Sequence, residues 1–187
     1  HIDLSDVEMA NPMEDDRRKG YEKAYFELRW RHGVNKATAG RLMHRVMNYG
    51  LMMTHEGDAD GLVAGVSMSY PDVIRPALQT VGRDQRYSRV AGLYVIISRS
   101  GGIFFLADTT VNIDPSAEEL AEIAQMAAET ARRFGAVPRV AMLSFSNFGI
   151  SKHPSATKMR RAVELVRSEN PALLVEGEIH ADMAVVP

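Results

Sequence analysis

The feature that most constrains this chain is a helix start at Asp114-Pro115-Ser116, with Glu118 and Glu119 close behind, set between two short apolar runs. Pro115 fits the first turn of a helix, where a missing N–H costs little. Ser116 and Glu119 stand at capping-box spacing, and the acids complement the positive end of the helix dipole. Leu120, Ile123, Ala124, Ala127, Ala131 and Phe134 line one face. Arg132 and Arg133 sit near the negative end, and Gly135 stops the run. Residues 103–107 before this helix and 139–144 after it read as strands. Successive strand–loop–helix units imply a mainly parallel sheet flanked by helices, so the predicted class is α/β, a three-layer α/β/α arrangement.

The remaining segments fit that class. Residues 4–9 alternate apolar and polar side chains and read as a short strand ended by Asn11-Pro12. Residues 14–31 are predicted helical, with Tyr21, Tyr25, Phe26, Leu28 and Trp30 as an apolar stripe and Gly33 as the stop. Asn35 caps a helix carrying Leu42, Met43 and Val46, and a further helix with Leu51, Met52 and Met53 leads to Gly57. Residues 57–61 form a tight polar turn. The continuous apolar run 62–66 is predicted as a strand covered on both faces. Tyr70-Pro71-Asp72 opens a helix that Gly82 ends, with Pro76 tolerable only near its first turn. Residues 91–98 and 103–107 form an inserted antiparallel hairpin, because the paired glycines of Arg99-Ser100-Gly101-Gly102 supply the positive φ of a tight turn. The strand 139–144 leads to a loop over 145–153, a helix over 154–168, a strand over 173–176 and an unfinished element over 184–186.

A chain of 187 residues can bury roughly 70% of its unfolded surface, so it needs no disulfide or metal to fold. It has no cysteine, which excludes disulfides, thiol catalysis and cysteine zinc sites and suits a cytoplasmic location. The formal net charge of -2 lacks the basic excess of a nucleic-acid binder. Asp15-Asp16-Arg17-Arg18-Lys19 reads as a solvated helix face. No apolar stretch approaches the roughly 20 residues of a membrane helix, and no secretory signal is visible. Neither nucleic acid nor membrane is an expected partner. The chain begins at His1 without a methionine and is expected to be a piece of a longer polypeptide.

Ligands in open α/β sheets gather at the carboxyl ends of strands, which selects three loops: 67–72, opened by Ser67, then 108–114 and 144–153. The last has the richest donor set. Ser144, Ser146, Asn147 and Ser151 offer hydroxyl and amide groups, Gly149 lets backbone approach a ligand, and Lys152 places a positive charge just before a helix start. Helix-start amides point outward unsatisfied, so the combination suits an anion. The plainer reading is a polar loop with an ordinary helix cap. Asp108, Thr109 and Thr110 end an apolar strand, where they either orient a substrate or satisfy backbone groups at the turn into the capped helix. Arg75 either clamps a phosphate, through a charge-assisted bond of about 1.5–3 kcal/mol, or is a surface arginine at a helix start that disfavours positive charge.

Other motifs carry less. Asp58 and Asp60 resemble the opening of a calcium loop whose third acidic position and distal glutamate are missing. His180 and Asp182 lack a partner pair for a metal. Serines, His153 and aspartates contain the elements of a hydrolase triad without a Gly-x-Ser-x-Gly elbow. The phosphate-loop and dinucleotide glycine signatures are absent. No catalytic residue, metal ligand or resident cofactor is therefore assigned. The methionines, Met52 and Met53 included, read as core filler, and Tyr25, Phe26 and Trp30 as core rather than a base-stacking platform.

Several longer segments resemble a known family. Glu56-Gly57-Asp58-Ala59-Asp60-Gly61, Tyr70-Pro71-Asp72-Val73-Ile74-Arg75-Pro76-Ala77-Leu78-Gln79, Phe105-Leu106-Ala107-Asp108-Thr109-Thr110-Val111-Asn112 and Pro138-Arg139-Val140-Ala141-Met142-Leu143-Ser144-Phe145-Ser146 follow one another in the order seen in phosphate acetyltransferases. Glu176-Gly177-Glu178-Ile179-His180-Ala181-Asp182 resembles the segment that comes next. Asn48-Tyr49-Gly50 before Met52-Met53, Ser69-Tyr70-Pro71-Asp72 and Ser146-Asn147-Phe148-Gly149 carry a narrower resemblance, to the carboxy-terminal phosphate-acetyltransferase-like (phosphotransacetylase) domain of large bacterial NADP-dependent malic enzymes.

That resemblance implies a two-lobed α/β/α fold, a homo-oligomer (usually a dimer) and a coenzyme A site lined by Arg75, Asp108, Thr109 and the 144–152 loop. It implies one phosphate-acetyltransferase-like domain over 1–187, with the family domain extending beyond both ends. In the malic-enzyme setting the implied role is allosteric: acetyl-CoA binds the domain and inhibits the oxidative decarboxylation of malate to pyruvate and CO2. NADP and a divalent metal then belong to the malic-enzyme catalytic domain of the same polypeptide. Transferases tend to have a smaller, more glycine- and lysine-rich loop where this chain has Phe148, and their catalytic serine–arginine segment falls beyond residue 187. The expected role is thus a regulatory, non-catalytic acetyl-CoA-binding domain. The alternatives are a fragment of an active phosphate acetyltransferase, moving acetyl between coenzyme A and phosphate, and a structural dimerisation module.

Overall fold

The computed structural model of the chain describes residues 5–99 and 101–185. They fall into two compact units, His1–Asp84 and Gln85–Pro187.

The first unit is helical. α1 (Arg18–Arg29) runs into a single 3-10 turn, Trp30–His32, which left-handed Gly33 closes. Asn35 caps α2 (Lys36–Met43) by accepting the Thr38 N–H at 2.8 Å. α3 (Val46–Glu56) ends at Gly57, again left-handed. Tyr21, Tyr25, Ala39, Met43, Tyr49 and Met52 form the core, with the Tyr21 and Tyr49 rings edge to face at 5.1 Å. Met43 and Met52 are fully enclosed, the role a flexible thioether fills well. Trp30 departs from the predicted stripe: the change to 3-10 winding takes it off the buried face and leaves it 53% exposed, with Arg31 over its ring. α4 (Tyr70–Thr80) carries Pro76 beyond its first turn, where the ring removes the hydrogen bond to the Asp72 carbonyl.

Two predicted strands of this unit do not form. Leu4 lies outside the described residues, and residues 5–9 are turn and irregular chain, exposed throughout. Alternation there meets no partner strand. Residues 62–66 are also irregular, and Val63 and Val66 are fully exposed instead of covered on both faces. Gly65 takes φ +131°, which bends the chain out of the extended path a strand needs.

The second unit carries the α/β pattern. β1 (Leu93–Ile97) and β2 (Ile103–Ala107) form the antiparallel hairpin, with Ser98 N–H donating to the Gly102 carbonyl at 2.8 Å and Gly101 at φ +88°. Ser100, within the predicted turn, lies outside the described residues. The Ser116–Glu119 capping box then opens α5 (Ala117–Arg133), as its spacing predicted. β3 (Arg139–Leu143), α6 (Pro154–Glu169) and β4 (Leu174–Ile179) make a crossover unit whose strands pair in parallel. β4 runs three residues past the predicted strand end at Glu176. α7 (Ala181–Val185) occupies the segment read as unfinished, and Val186 lies outside the described residues.

Ala117, Ala121, Ala124 and Ala128 of α5 face Ala162, Val163 and Val166 of α6 over Met142, Leu173 and Val175. Small side chains on both helices let them approach closely, and the sheet residues seal the inner side. Among the described residues the strands form a parallel pair and an antiparallel hairpin, within an α/β fold. No helix among them is long and apolar enough to cross a membrane.

Candidate functional site

The loop 144–153 leaves the carboxyl end of β3, and its shape is set by the neighbouring end of β4. In register, Met142 faces Gly177 and Leu143 faces Ile179, so Glu178 is an extra residue in β4, a bulge. The bulge resets the alternation of the strand and turns Glu178 inward, where its side chain is completely buried. Burial pushes this carboxyl up. The Gly149 N–H, its own backbone N–H, the Ser146 hydroxyl and the Arg160 charge more than offset that, and the group lies below the usual carboxylate range.

One oxygen of Glu178 gathers three donors from the loop and from α6. Oε1 accepts the Ser146 hydroxyl at 3.2 Å, the Gly149 N–H at 2.9 Å and Arg160 Nη1 at 2.8 Å. Ser146 Oγ accepts the Ser151 N–H at 3.0 Å, and Arg160 Nη1 also reaches the Ser151 carbonyl at 3.1 Å. Backbone contacts join the same two segments. The Phe148 N–H donates to the Glu178 carbonyl at 2.9 Å, the Ser144 N–H to the Ile179 carbonyl at 2.9 Å, and the His180 N–H to Asn147 Oδ1 at 2.7 Å. Phe148 holds φ +43°, a left-handed conformation uncommon for a bulky residue, and its side chain is exposed. His153 caps α6, its Nδ1 accepting the Ser155 N–H, and its ring meets Phe145 edge on at 5.5 Å.

Much of the predicted donor set is therefore committed within the protein. Ser146, Asn147 and the Gly149 N–H hold the loop together. The Ser144 hydroxyl and the Lys152 ammonium make no hydrogen bond or ion pair among the described residues, and Lys152 is exposed.

The loop after β2 is organised in the same way. Asp108 Oδ1 accepts the Gly92 N–H at 2.7 Å and the Thr110 and Val111 N–H groups at 3.2 Å each. Oδ2 accepts the Asn112 N–H at 2.7 Å and also its side-chain amide. Burial raises the Asp108 carboxyl, but bonds from the Asn112 side chain and from the Gly92, Asn112 and Thr110 backbones prevail and lower it. Asn112 in turn accepts Arg89 Nη1 at 2.8 Å, and Arg89 pairs with Glu119 of α5. A Cβ on Gly92 would stand 2.5 Å from Thr110 Oγ1, 3.0 Å from Asp108 Oδ1 and 3.3 Å from Thr109 Oγ1. The two threonines thus close over a glycine, and both are exposed on their outer side.

In the first unit, Ser67 lies exposed in a turn. With no strand at 62–66, it does not sit at a strand end. Arg75 is exposed on α4 and makes no hydrogen bond or ion pair among the described residues, while Ser69 donates to Asp72 at 2.5 Å across the helix start. Asp58 accepts the Tyr21 hydroxyl, which ties the 57–61 turn to the helical core. Among the described residues, no three His, Asp or Glu side chains form a group able to hold a metal.

Glu178, Arg160 and Asn112 escaped the sequence reading. Alternation from buried Val175 places Glu178 on the same exposed side as Glu176, and only the bulge reverses this. An isolated glycine in a strand is the available signal for a bulge, and Gly177 supplies it.

The sequence model of the phosphate acetyl/butaryl transferase family matches residues 1–187. The chain is 42% identical over 182 residues to an NADP-dependent malic enzyme of Escherichia coli, covering 97% of this chain and 24% of that protein. It is 36% identical over 184 residues to a phosphate acetyltransferase of Synechocystis, covering 98% of this chain and 26% of that protein. Among solved structures, the EutD phosphotransacetylase from Staphylococcus aureus superposes with a TM-score of 0.86 at 33% identity, covering 100% of this chain and 57% of that one. The chain spans about a quarter of the length of the two curated relatives.

Proposed function

Because this chain belongs to the phosphate acetyl/butaryl transferase family, we propose that it is a regulatory, acetyl-CoA-binding domain of an NADP-dependent malic enzyme and is itself not catalytic. The observation that carries this reading is the 42% identity to a malic enzyme across nearly the whole chain, above the 36% to the transferase of Synechocystis. The exposed, uncommitted cations support it from the side of chemistry. Lys152 stands beside a helix start and Arg75 on α4, each available to a phosphate or diphosphate group such as coenzyme A carries.

On this reading Asp108, Thr109, Ser144 and Lys152 of the second unit and, taken separately, Ser67 and Arg75 of the first are residues offered to the ligand, while Ser146, Asn147 and Gly149 act by shaping the loop. NADP and a divalent metal serve the malic-enzyme domain of the same polypeptide, and the assembly is a homo-oligomer. Acetyl-CoA acts by binding one of two states more tightly, a coupling typically of about 1–3 kcal/mol.

The second reading is an active phosphate acetyltransferase, favoured by the superposition on a phosphotransacetylase over the full chain. A structural dimerisation module is the third. Calorimetric titration of acetyl-CoA, free coenzyme A and acetyl phosphate into the full-length protein separates them. Saturable acetyl-CoA binding with inhibited malate oxidation and no acetyl transfer is the expected result. Measurable transfer promotes the enzyme, and no binding leaves the structural module.

A further inference from the structure

We propose that Glu178 is the positioning residue of the 144–152 loop, an internal anion around which the loop is wound before any ligand arrives. Three donors from two elements converge on its Oε1: the Ser146 hydroxyl, the Gly149 N–H and the Arg160 guanidinium. A hydroxyl, a backbone amide and a guanidinium meeting at one point is the set that usually seats a ligand's anionic oxygen. Here a side chain of the protein takes that place. The loop contributes almost no apolar burial of its own, since Phe145, Phe148 and Ile150 are all more than half exposed. Its order therefore comes from polar bonds, those to Glu178 Oε1 together with the ties of Phe148, Ser144 and Asn147 to the end of β4.

The geometry explains why the tie is specific to a charge. Arg160 links Glu178 to the Ser151 carbonyl, so one guanidinium joins the far side of the loop, α6 and the carboxylate. A neutral amide at 178 accepts weaker bonds, and its NH2 group faces donors if it turns. Oε2 is buried with no hydrogen-bond partner among the described residues, so the carboxylate holds the loop through Oε1 alone. The chain also dedicates a strand irregularity to this placement, the bulge that swings Glu178 inward beside Gly177.

The consequence for ligand binding rests on the acetyl-CoA reading. Glu178 engages Ser146 and Gly149 and leaves the Lys152 ammonium and the Ser144 hydroxyl as loop groups without a partner among the described residues.

The test is amide hydrogen exchange on the full-length protein, comparing wild type with Glu178→Gln, alongside acetyl-CoA titration. The Gly149 and Ser151 amides are expected to lose about ten- to hundred-fold of their protection in the variant, the loss appropriate to weakened charge-assisted bonds. Amides of α5 are expected to keep theirs. Wild-type protection at Gly149 is expected to fall on acidification, as the carboxylate is protonated, whereas protection in Glu178→Gln stays flat. Unchanged protection at Gly149 and Ser151, or an equal pH response in both proteins, overturns the proposal. If Glu178→Gln does not fold, Arg160→Gln removes one donor from the same oxygen and is read in the same way. Wild type that fails to bind acetyl-CoA while the exchange results hold sinks the ligand assignment and leaves Glu178 as the loop's anchor. Wild type and variant that bind equally well, with a loosened loop, overturn its positioning role in binding.

Discussion

Gly177 and Met142 lie so close that a Cβ on the glycine would stand 2.6 Å from the Met142 carbonyl oxygen and 2.8 Å from the Met142 Cβ. The two residues face each other across the parallel pair of β3 and β4, one step before the register breaks. With φ at +142°, Gly177 also holds a conformation that side chains rarely adopt.

Gly177→Ala is therefore expected to destabilise the protein by at least about 1–3 kcal/mol, the usual size of stored backbone strain, with the steric clash in addition. Urea unfolding monitored by circular dichroism measures it. Stability equal to wild type would mean that β3 and β4 separate more readily than their register suggests.

Ser116→Ala removes the hydroxyl that accepts the Glu119 N–H and breaks the capping box of α5. A loss of about 1 kcal/mol is expected. Because the hydrogen bonds of Ser116 go to Glu118 and Glu119 and not to the 144–153 loop, acetyl-CoA affinity in the full-length protein should stay within error. Calorimetry on the same samples checks both values.

Acid should loosen the loop after β2. The Asp108 carboxyl lies below its ordinary value of 3.8 in the folded protein, so it contributes stability that is present above that value. The contribution is lost as pH falls through the folded value. The melting temperature is expected to drop below about pH 4. Asp108→Asn should start lower at neutral pH and fall less steeply. Parallel melting curves for the two proteins from neutral pH to pH 3 would contradict this.

Arg75→Ala and Lys152→Ala probe the proposed ligand contacts without touching the fold, since neither cation has a partner to lose among the described residues. Each should weaken acetyl-CoA binding in the full-length protein by about ten-fold or more, from the loss of a charge-assisted bond. The melting temperature without ligand should move by less than about 2 °C, as expected for surface changes. An unaltered titration curve for Arg75→Ala removes that residue from the site.

The parts of the fold legible in the sequence are those fixed by local chemistry. Ser116 with Glu119, Asn35, Gly33 and Gly57 end or begin helices where predicted, because caps depend on a few adjacent residues. The hairpin at Gly101-Gly102 was legible for the same reason. The run 62–66 was not, since an apolar stretch becomes a strand only when another strand pairs with it. At the candidate site the loop 144–153 was visible as a polar segment before a helix. Its organiser was hidden, because a bulge reverses the side on which Glu178 falls and lies 32 residues from Ser146.

The apolar core of the second unit draws on α5, on Val140 and Met142, on α6 and on β4, and takes no apolar side chain from 145–152. Selection for folding and selection for what the loop meets thus act on separate stretches of chain. Substitutions at the outward positions Phe145, Phe148, Ile150 and Lys152 can accumulate or be traded while the scaffold beneath them is inherited unchanged. The outward surface of that segment can thus change by drift, provided the carboxylate behind it and the groups that bond to it are kept.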